Sequence, residues 1–208
     1  MYAVLVDFKK AYDSVDRGTL WRCLRQLGIR GTMLAALEDM YRQVQMRVRA
    51  GGGLGPVFES ERGVKQGDPL SPLLFGLLLE RVEEVLEAAA PGNGVKVGAQ
   101  RVVTLMYADD LVILGERPES VQQTLDALAK CCTCLQLEVN LQKTVGVVFR
   151  PPGTQAEPAQ WAYRGGQVPM AGEAVYLGTR LEAVKGVAAA WERQFQAGRR
   201  AMFGRCLA

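Results

Sequence analysis

Three aspartates end or interrupt apolar runs in this chain. Asp7 closes Tyr2-Ala3-Val4-Leu5-Val6, and the pair Asp109-Asp110 stands between Val102–Met106 and Leu111–Leu114. An ionised carboxylate is costly to bury alone, so an acid at such a place either caps a strand at the surface or meets a cation. Capping is enough to explain one acid. Two adjacent acids at a chain reversal repel each other, and a divalent cation relieves the repulsion. Hard oxygen donors suit Mg2+ or Mn2+. A third carboxylate from another strand completes the donor set of a two-metal clamp for phosphoryl transfer. From these residues alone, capping and metal chemistry both stay open.

The surrounding sequence predicts what positions them. Tyr2 to Asp7 is short, apolar and β-branched, as a buried strand is. Asp13, with Asp16 three residues on, offers a cap for a helix through Leu20, Leu24 and Leu27, which Gly28 closes. A second helical run holds Leu34, Leu37 and Tyr41. Gln45 to Arg49 alternates like a strand, Gly51 to Gly55 reads as a loop, and Val57 to Glu61 is extended. Pro69 and Pro72 open a helix from about Leu73 to Ala89, and Pro91-Gly92-Asn93-Gly94 is a turn. Val102–Met106 and Leu111–Leu114 then form two strands with the acid pair at the hairpin tip. Pro118 starts an amphipathic helix with Val121, Leu125, Leu128 and Leu135 on one side. Val145 to Phe149 is a strand, Pro151 to Pro158 a loop, and Gly165-Gly166 signals a hairpin between Trp161–Arg164 and Gln167–Met170. Ala174 to Arg180 reads as one further strand and the tail from about Ala183 as helix. The order strand, helices, strand, strand, helix, strand predicts an α+β fold: a split β-α-β unit, ferredoxin-like, with an antiparallel sheet, helices on one face and the other face open.

Composition is that of a globular protein: 208 residues, 49% apolar, 23% charged, net charge +3. That charge is too mild to announce a nucleic-acid partner. The tail is more basic, with Lys185, Arg193, Arg199, Arg200 and Arg205 against Glu192, a balance of 5 − 1 = +4. It suits either a phosphate backbone or a solvated helix. There is no histidine, so a zinc site would need cysteines and carboxylates. Cys131, Cys132 and Cys134 lie inside a helical pattern and read as buried or neutral thiols in a reducing compartment. No signal peptide and no apolar run of about 20 residues is visible, which excludes a secreted or membrane-spanning reading. Nucleus and cytoplasm stay open.

Motif wording narrows the choice. Tyr107-Ala108-Asp109-Asp110 resembles the catalytic motif of reverse transcriptases, and Asp7-Phe8-Lys9-Lys10-Ala11-Tyr12-Asp13 resembles their first catalytic motif. Gln66-Gly67-Asp68-Pro69-Leu70-Ser71-Pro72 is worded as in the LINE type (non-LTR retrotransposons). Asn140 with Lys143-Thr144 resembles the following motif, and Tyr176-Leu177-Gly178 resembles the hairpin called the primer grip. These motifs run in order across residues 2–181. The resemblance implies a palm domain over 1–181, a basic tail over 182–208 that starts a thumb, and an RNA-directed DNA polymerase using two Mg2+ ions, or Mn2+. It implies Asp7, Asp109, Asp110 and the Phe8 carbonyl as metal ligands. Tyr12 would be the ring that excludes a ribose 2′-hydroxyl. Gln66, Gly67 and Ala108 would lie at the nucleotide, Lys143 at the departing pyrophosphate, and Tyr176, Leu177 and Gly178 at the primer end. Lys9, Lys10 and Lys65 would meet phosphates or stay solvated, and Asp13 and Asp16 would cap helices.

The implied partners are an RNA template, a DNA primer, dNTPs and the fingers, thumb and endonuclease regions of a parent polyprotein. Because those regions lie outside this sequence, the fragment is expected to polymerise weakly or not at all. Group II intron reverse transcriptases share Tyr-Ala-Asp-Asp, but the Gln-Gly-Asp-Pro wording argues against them. Viral RNA-dependent RNA polymerases usually carry glycine before the paired acids. An inactive or domesticated nucleic-acid-binding remnant is the reading from another class.

Overall fold

The computed structural model describes residues 1–89, 92–155 and 157–186. Its centre is a four-stranded sheet of β1 (Tyr2–Val6), β2 (Thr104–Tyr107), β3 (Asp110–Gly115) and β4 (Val145–Val148). The spatial order is β4-β1-β3-β2, and every pairing is antiparallel. Between β1 and β2 come the helices α1 (Ala11–Ser14), α2 (Arg17–Gln26), α3 (Gly31–Met40) and α4 (Leu70–Ala89). Helix α5 (Pro118–Leu135) connects β3 to β4. This is the expected split β-α-β unit of the α+β class.

Alternation along the strands decides which face takes the helices. Tyr2, Val4, Val6 and Phe8 from the first segment, with Leu111 and Ile113 from β3, join one buried core. Helix α4 contributes Leu74, Phe75, Leu78, Leu79, Val82 and Leu86, and α5 contributes Val121, Leu125 and Leu128. Each such side chain contributes about 1.5–3 kcal/mol when fully buried. Helix α2 starts on Asp16, whose Oδ1 accepts from the Thr19 N–H at 2.7 Å. Beneath β4, Trp161 packs edge-on against Tyr2 at 6.2 Å and donates through Nε1 to the Pro118 carbonyl.

The structure departs from the sequence reading where short-range signals stand alone. Asp13 caps nothing. It lies inside α1, and its Oδ1 accepts from Gln66 Nε2 at 3.0 Å. The stretch 45–59 is a nested pair of short ladders, Gln45–Met46 with Phe58–Glu59 and Arg49–Ala50 with Gly53–Leu54, so the expected Gly51–Gly55 loop holds a strand. Val95–Val97 and Gln100–Val102 form a hairpin the sequence reading did not anticipate. The 161–170 hairpin turns at Arg164-Gly165, one residue earlier than expected. The single strand expected over 174–180 folds back at Leu177-Gly178, pairing Glu173–Tyr176 with Thr179–Glu182. Ala183–Lys185 form a turn closed by a Glu182–Gly186 bridge; residues 187–208, most of the expected helical tail, lie outside the described residues.

Candidate active site at the end of the sheet

Register brings the acids together. Val6 stands opposite Leu111, so the next step along both strands sets Asp7 opposite Asp110. Because Val6 and Phe8 face the core, Asp7 between them faces the open side. Tyr107 pairs with Asp110, leaving Ala108 and Asp109 as a two-residue loop. A tight hairpin needs positive φ at its first loop residue, and Ala108 supplies it at φ 53. A non-glycine residue in that region is strained, so Asp109 is presented on a held turn.

The backbone of Asp7 is fixed on its other side. Its carbonyl accepts from the Asn140 N–H at 2.7 Å, and its N–H donates to Thr144 Oγ1 at 3.2 Å. Thr144 is buried and tied back by its own N–H to the Asn140 carbonyl. Phe8 pairs with Val139 in a bridge flanked by Lys9 N–H to the Glu138 carbonyl and Asn140 N–H to the Asp7 carbonyl. In that antiparallel pattern the C=O of Phe8 turns away from Val139, toward the side on which Asp110 begins β3.

Charge couples the group. Partial burial by the strand ends, then the Asp109 and Asp7 charges, raise the Asp110 carboxyl above its ordinary value, although its outer side is exposed. The Tyr12 phenol is raised by burial and by Asp109, and the Tyr176 phenol by burial and by Asp110. Among the described residues, none of the three carboxylates takes part in an ion pair. They are near enough to repel, yet no three acid or cysteine side chains of the described residues converge into a closed metal-holding group. The charge coupling and the register are the better guide to adjacency, since mutual repulsion itself keeps such carboxylates apart. Three uncompensated carboxylates and a carbonyl turned to their side are the hard-oxygen donor set that suits a divalent cation.

Beside the acids, Tyr12 is half-buried and stacks on Phe75, with ring centroids 5.0 Å apart and 27° between planes. It lines an open cleft of about 540 Å3 together with Gln66, Gly67, Asp68, Pro69 and Ser71. Gln66 and Gly67 are exposed at its rim. The 173–182 hairpin brings Tyr176 to Asp110 and leaves Leu177 and Gly178 at its exposed tip.

Other expected residues are placed differently. Lys143 is exposed; its N–H donates to the Asn140 carbonyl, and among the described residues no bond joins its side chain to the acids. Lys9 pairs with Glu138 at 2.8 Å. Lys65 donates to the Met40 carbonyl at 3.2 Å and lies 5.2 Å from the Tyr41 ring centroid. Cys131 and Cys132 are buried in α5 and Cys134 is exposed; burial pushes the Cys131 thiol up to about 11, away from the thiolate a metal would need. Sequence reasoning missed Thr144 and Phe75 as supports. Thr144 stood in a quoted motif but was given no role, and Phe75 was hidden in an apolar helix whose facing partner cannot be read from spacing.

A family model described as "Reverse transcriptase (RNA-dependent DNA polymerase)" matches residues 1–181. Over 155 residues the chain is 32% identical to the "Retrovirus-related Pol polyprotein from type-1 retrotransposable element R2" of Nasonia vitripennis, covering 74% of this chain and 15% of that protein. Over 152 residues it is 32% identical to the R2DM Pol polyprotein of Drosophila melanogaster, covering 72% and 14%. The chain thus spans about one-seventh of the length of these curated relatives. Among solved structures, telomerase from Candida albicans, with a fragment of telomeric RNA, matches at a TM-score of 0.59 and 15% identity, over 88% of this chain and 29% of that one. At that identity the likeness is one of fold.

Proposed function

The chain belongs to the reverse transcriptase (RNA-dependent DNA polymerase) family, and from that premise we propose that residues 1–181 are the palm of a non-LTR retrotransposon polymerase. It adds dNTPs to the 3′-hydroxyl of a DNA primer along an RNA template. The remaining partners are the other regions of a parent polyprotein. Among the described residues no helix is long and apolar enough to cross a membrane. The observation that carries the reading is the set of three coupled, unpaired carboxylates, Asp7, Asp109 and Asp110, next to the Tyr12 cleft.

Each residue then has a physical task. Asp7, Asp109, Asp110 and the Phe8 carbonyl would hold two Mg2+ ions, or Mn2+, and these would supply acidity at the primer hydroxyl and charge stabilisation at the leaving pyrophosphate. Tyr12, braced by Phe75, stands where a ribose 2′-hydroxyl would go, which disfavours the wrong sugar by collision. Gln66 offers an amide to the nucleotide once released from Asp13, and Gly67 leaves backbone free to approach. Ala108 holds the turn against the sugar. Tyr176, Leu177 and Gly178 position the primer end. Lys143, exposed and without a side-chain partner among the described residues, would reach the pyrophosphate.

Extension of oligo-dT on poly-rA tests this, with dTTP or UTP and with Mg2+ or Mn2+. The expected result is metal-dependent addition of dTTP and far less of UTP. Equal use of both nucleotides would contradict the role of Tyr12, and no addition with either metal, even with the fingers region of a parent polyprotein restored upstream, would contradict the polymerase.

A further inference from the structure

The loop that carries Gln66 and Gly67 is held by one side chain with no role so far. Arg17, the first residue of α2, donates to three backbone carbonyls: Nε to Gly63 at 3.0 Å, Nη1 to Tyr41 at 3.1 Å and Nη2 to Arg62 at 3.1 Å. Its guanidinium lies over the Tyr41 ring, 5.4 Å from the centroid. Tyr41 is buried, and its hydroxyl meets Ser71 Oγ at 3.3 Å, at the far end of the same loop. No carboxylate pairs with Arg17 among the described residues, and burial lowers its pKa. A half-buried cation whose fork is spent on carbonyls serves geometry rather than charge neutralisation.

The geometry it fixes is the spacing between the loop and Tyr12. The Gly63 N–H donates to the Val15 carbonyl at 2.8 Å and the Val64 N–H to the Tyr12 carbonyl at 2.9 Å. Gly63 sits so close that a Cβ there would lie 2.9 Å from the Asp13 Cα and 3.0 Å from the Tyr12 carbonyl oxygen. Arg17 therefore presses the start of the loop onto the backbone of the residue whose ring faces the cleft, and Gln66 and Gly67 follow two and three residues on. Resting on the polymerase reading above, we infer that Arg17 is a positioning residue that sets the gap between Tyr12 and the Gln66-Gly67 rim, and thereby the discrimination between deoxyribo- and ribonucleotides. Arg17 itself touches neither substrate nor acids.

The test compares the whole 208-residue chain with Arg17→Gln, Arg17→Lys and, as a control on the exposed side of α2, Arg22→Gln. Two quantities are read: the ratio of kcat/KM for dTTP to that for UTP, and amide hydrogen exchange at Gly63 and Val64 against that of α5. In Arg17→Gln the ratio is expected to fall about tenfold, mostly through a lower KM for UTP, with faster exchange at Gly63 and Val64 and unchanged exchange in α5. Arg17→Lys restores part of the ratio, because it keeps a donor but not the fork. Arg22→Gln matches the parent. A loss of stability alone would speed exchange everywhere and leave the ratio intact. An unchanged ratio with a loosened loop overturns the specificity role, and unchanged exchange overturns the clamp. If neither nucleotide is incorporated, even with the fingers region of a parent polyprotein restored upstream, the polymerase reading falls and the specificity role with it, while exchange at Gly63 and Val64 still decides the clamp.

Discussion

Five hairpins among the described residues turn on two residues, and the turn at the acid pair contrasts most usefully with two of them. At Arg164-Gly165 and at Leu177-Gly178 both loop residues have positive φ, 49 and 79 in the first, 48 and 74 in the second, with glycine second. That is the turn a right-twisted strand pair prefers. At the acid pair, Ala108 takes φ 53 and the next place belongs to Asp109, whose φ stays negative. The first two turns are built for folding. The third gives up the favoured turn chemistry to present a carboxylate, and it does so beside two further carboxylates that repel it. All three turns hold a non-glycine residue at positive φ; what sets the acid hairpin apart is like charge, gathered where no glycine follows.

The comparison yields graded predictions. The largest concerns the charges. Asp110→Asn is expected to abolish primer extension by roughly a thousandfold or more, the several kcal/mol that a metal ligand supplies, while making the folded chain more stable at neutral pH. The sign follows from the raised carboxyl. The folded state binds the proton more tightly than the unfolded one, so stability falls as pH rises from the ordinary carboxylate value through the raised one. The gain of Asp110→Asn should therefore vanish below that window in thermal melts taken across pH. A variant that loses activity and stability together would break the comparison.

Next in size, Trp161→Ala should cost about 3–5 kcal/mol in denaturant unfolding, since it empties a fully buried ring site under β4. Gly165→Ala and Gly178→Ala should each cost roughly 1–2 kcal/mol, the penalty for a side chain in the left-handed region. Primer extension separates these two: it falls further in Gly178→Ala, at the proposed primer end, than in Gly165→Ala. The smallest effect is Ala108→Gly, expected to change stability by less than about 1 kcal/mol while slowing extension, because the turn loses its hold on Asp109.

Much of this was legible in the sequence. The order of core elements and the acids at the strand ends follow from apolar periodicity and spacing, which local residues encode; the site roles came from the resemblance of the motif wording. What was lost depends on partners distant in sequence. Asp13 looked like a cap because its side chain suits one; it binds Gln66, 53 residues on. Residues 174–180 alternate like one strand; the motif resemblance implied a hairpin there, and the pairing of Tyr176 with Thr179 shows where the pattern bends back. Lys143 carried a role through its motif, yet Thr144, the neighbour with a small buried hydroxyl, is the residue bonded to Asp7. Arg17 had no signal at all, because its partners are backbone carbonyls, which any residue supplies.

The central claim is that Asp7, Asp109 and Asp110 act as one metal-holding unit that drives nucleotide addition. The most direct measurement compares the chain with Asp109→Ala, following dTTP addition on poly-rA/oligo-dT and Mn2+ binding by calorimetry on the same preparations. The account predicts metal binding and extension in the first, however slow, and neither in the second. Extension that survives Asp109→Ala, or a parent chain that neither binds Mn2+ nor extends the primer, would contradict it and favour a nucleic-acid-binding remnant.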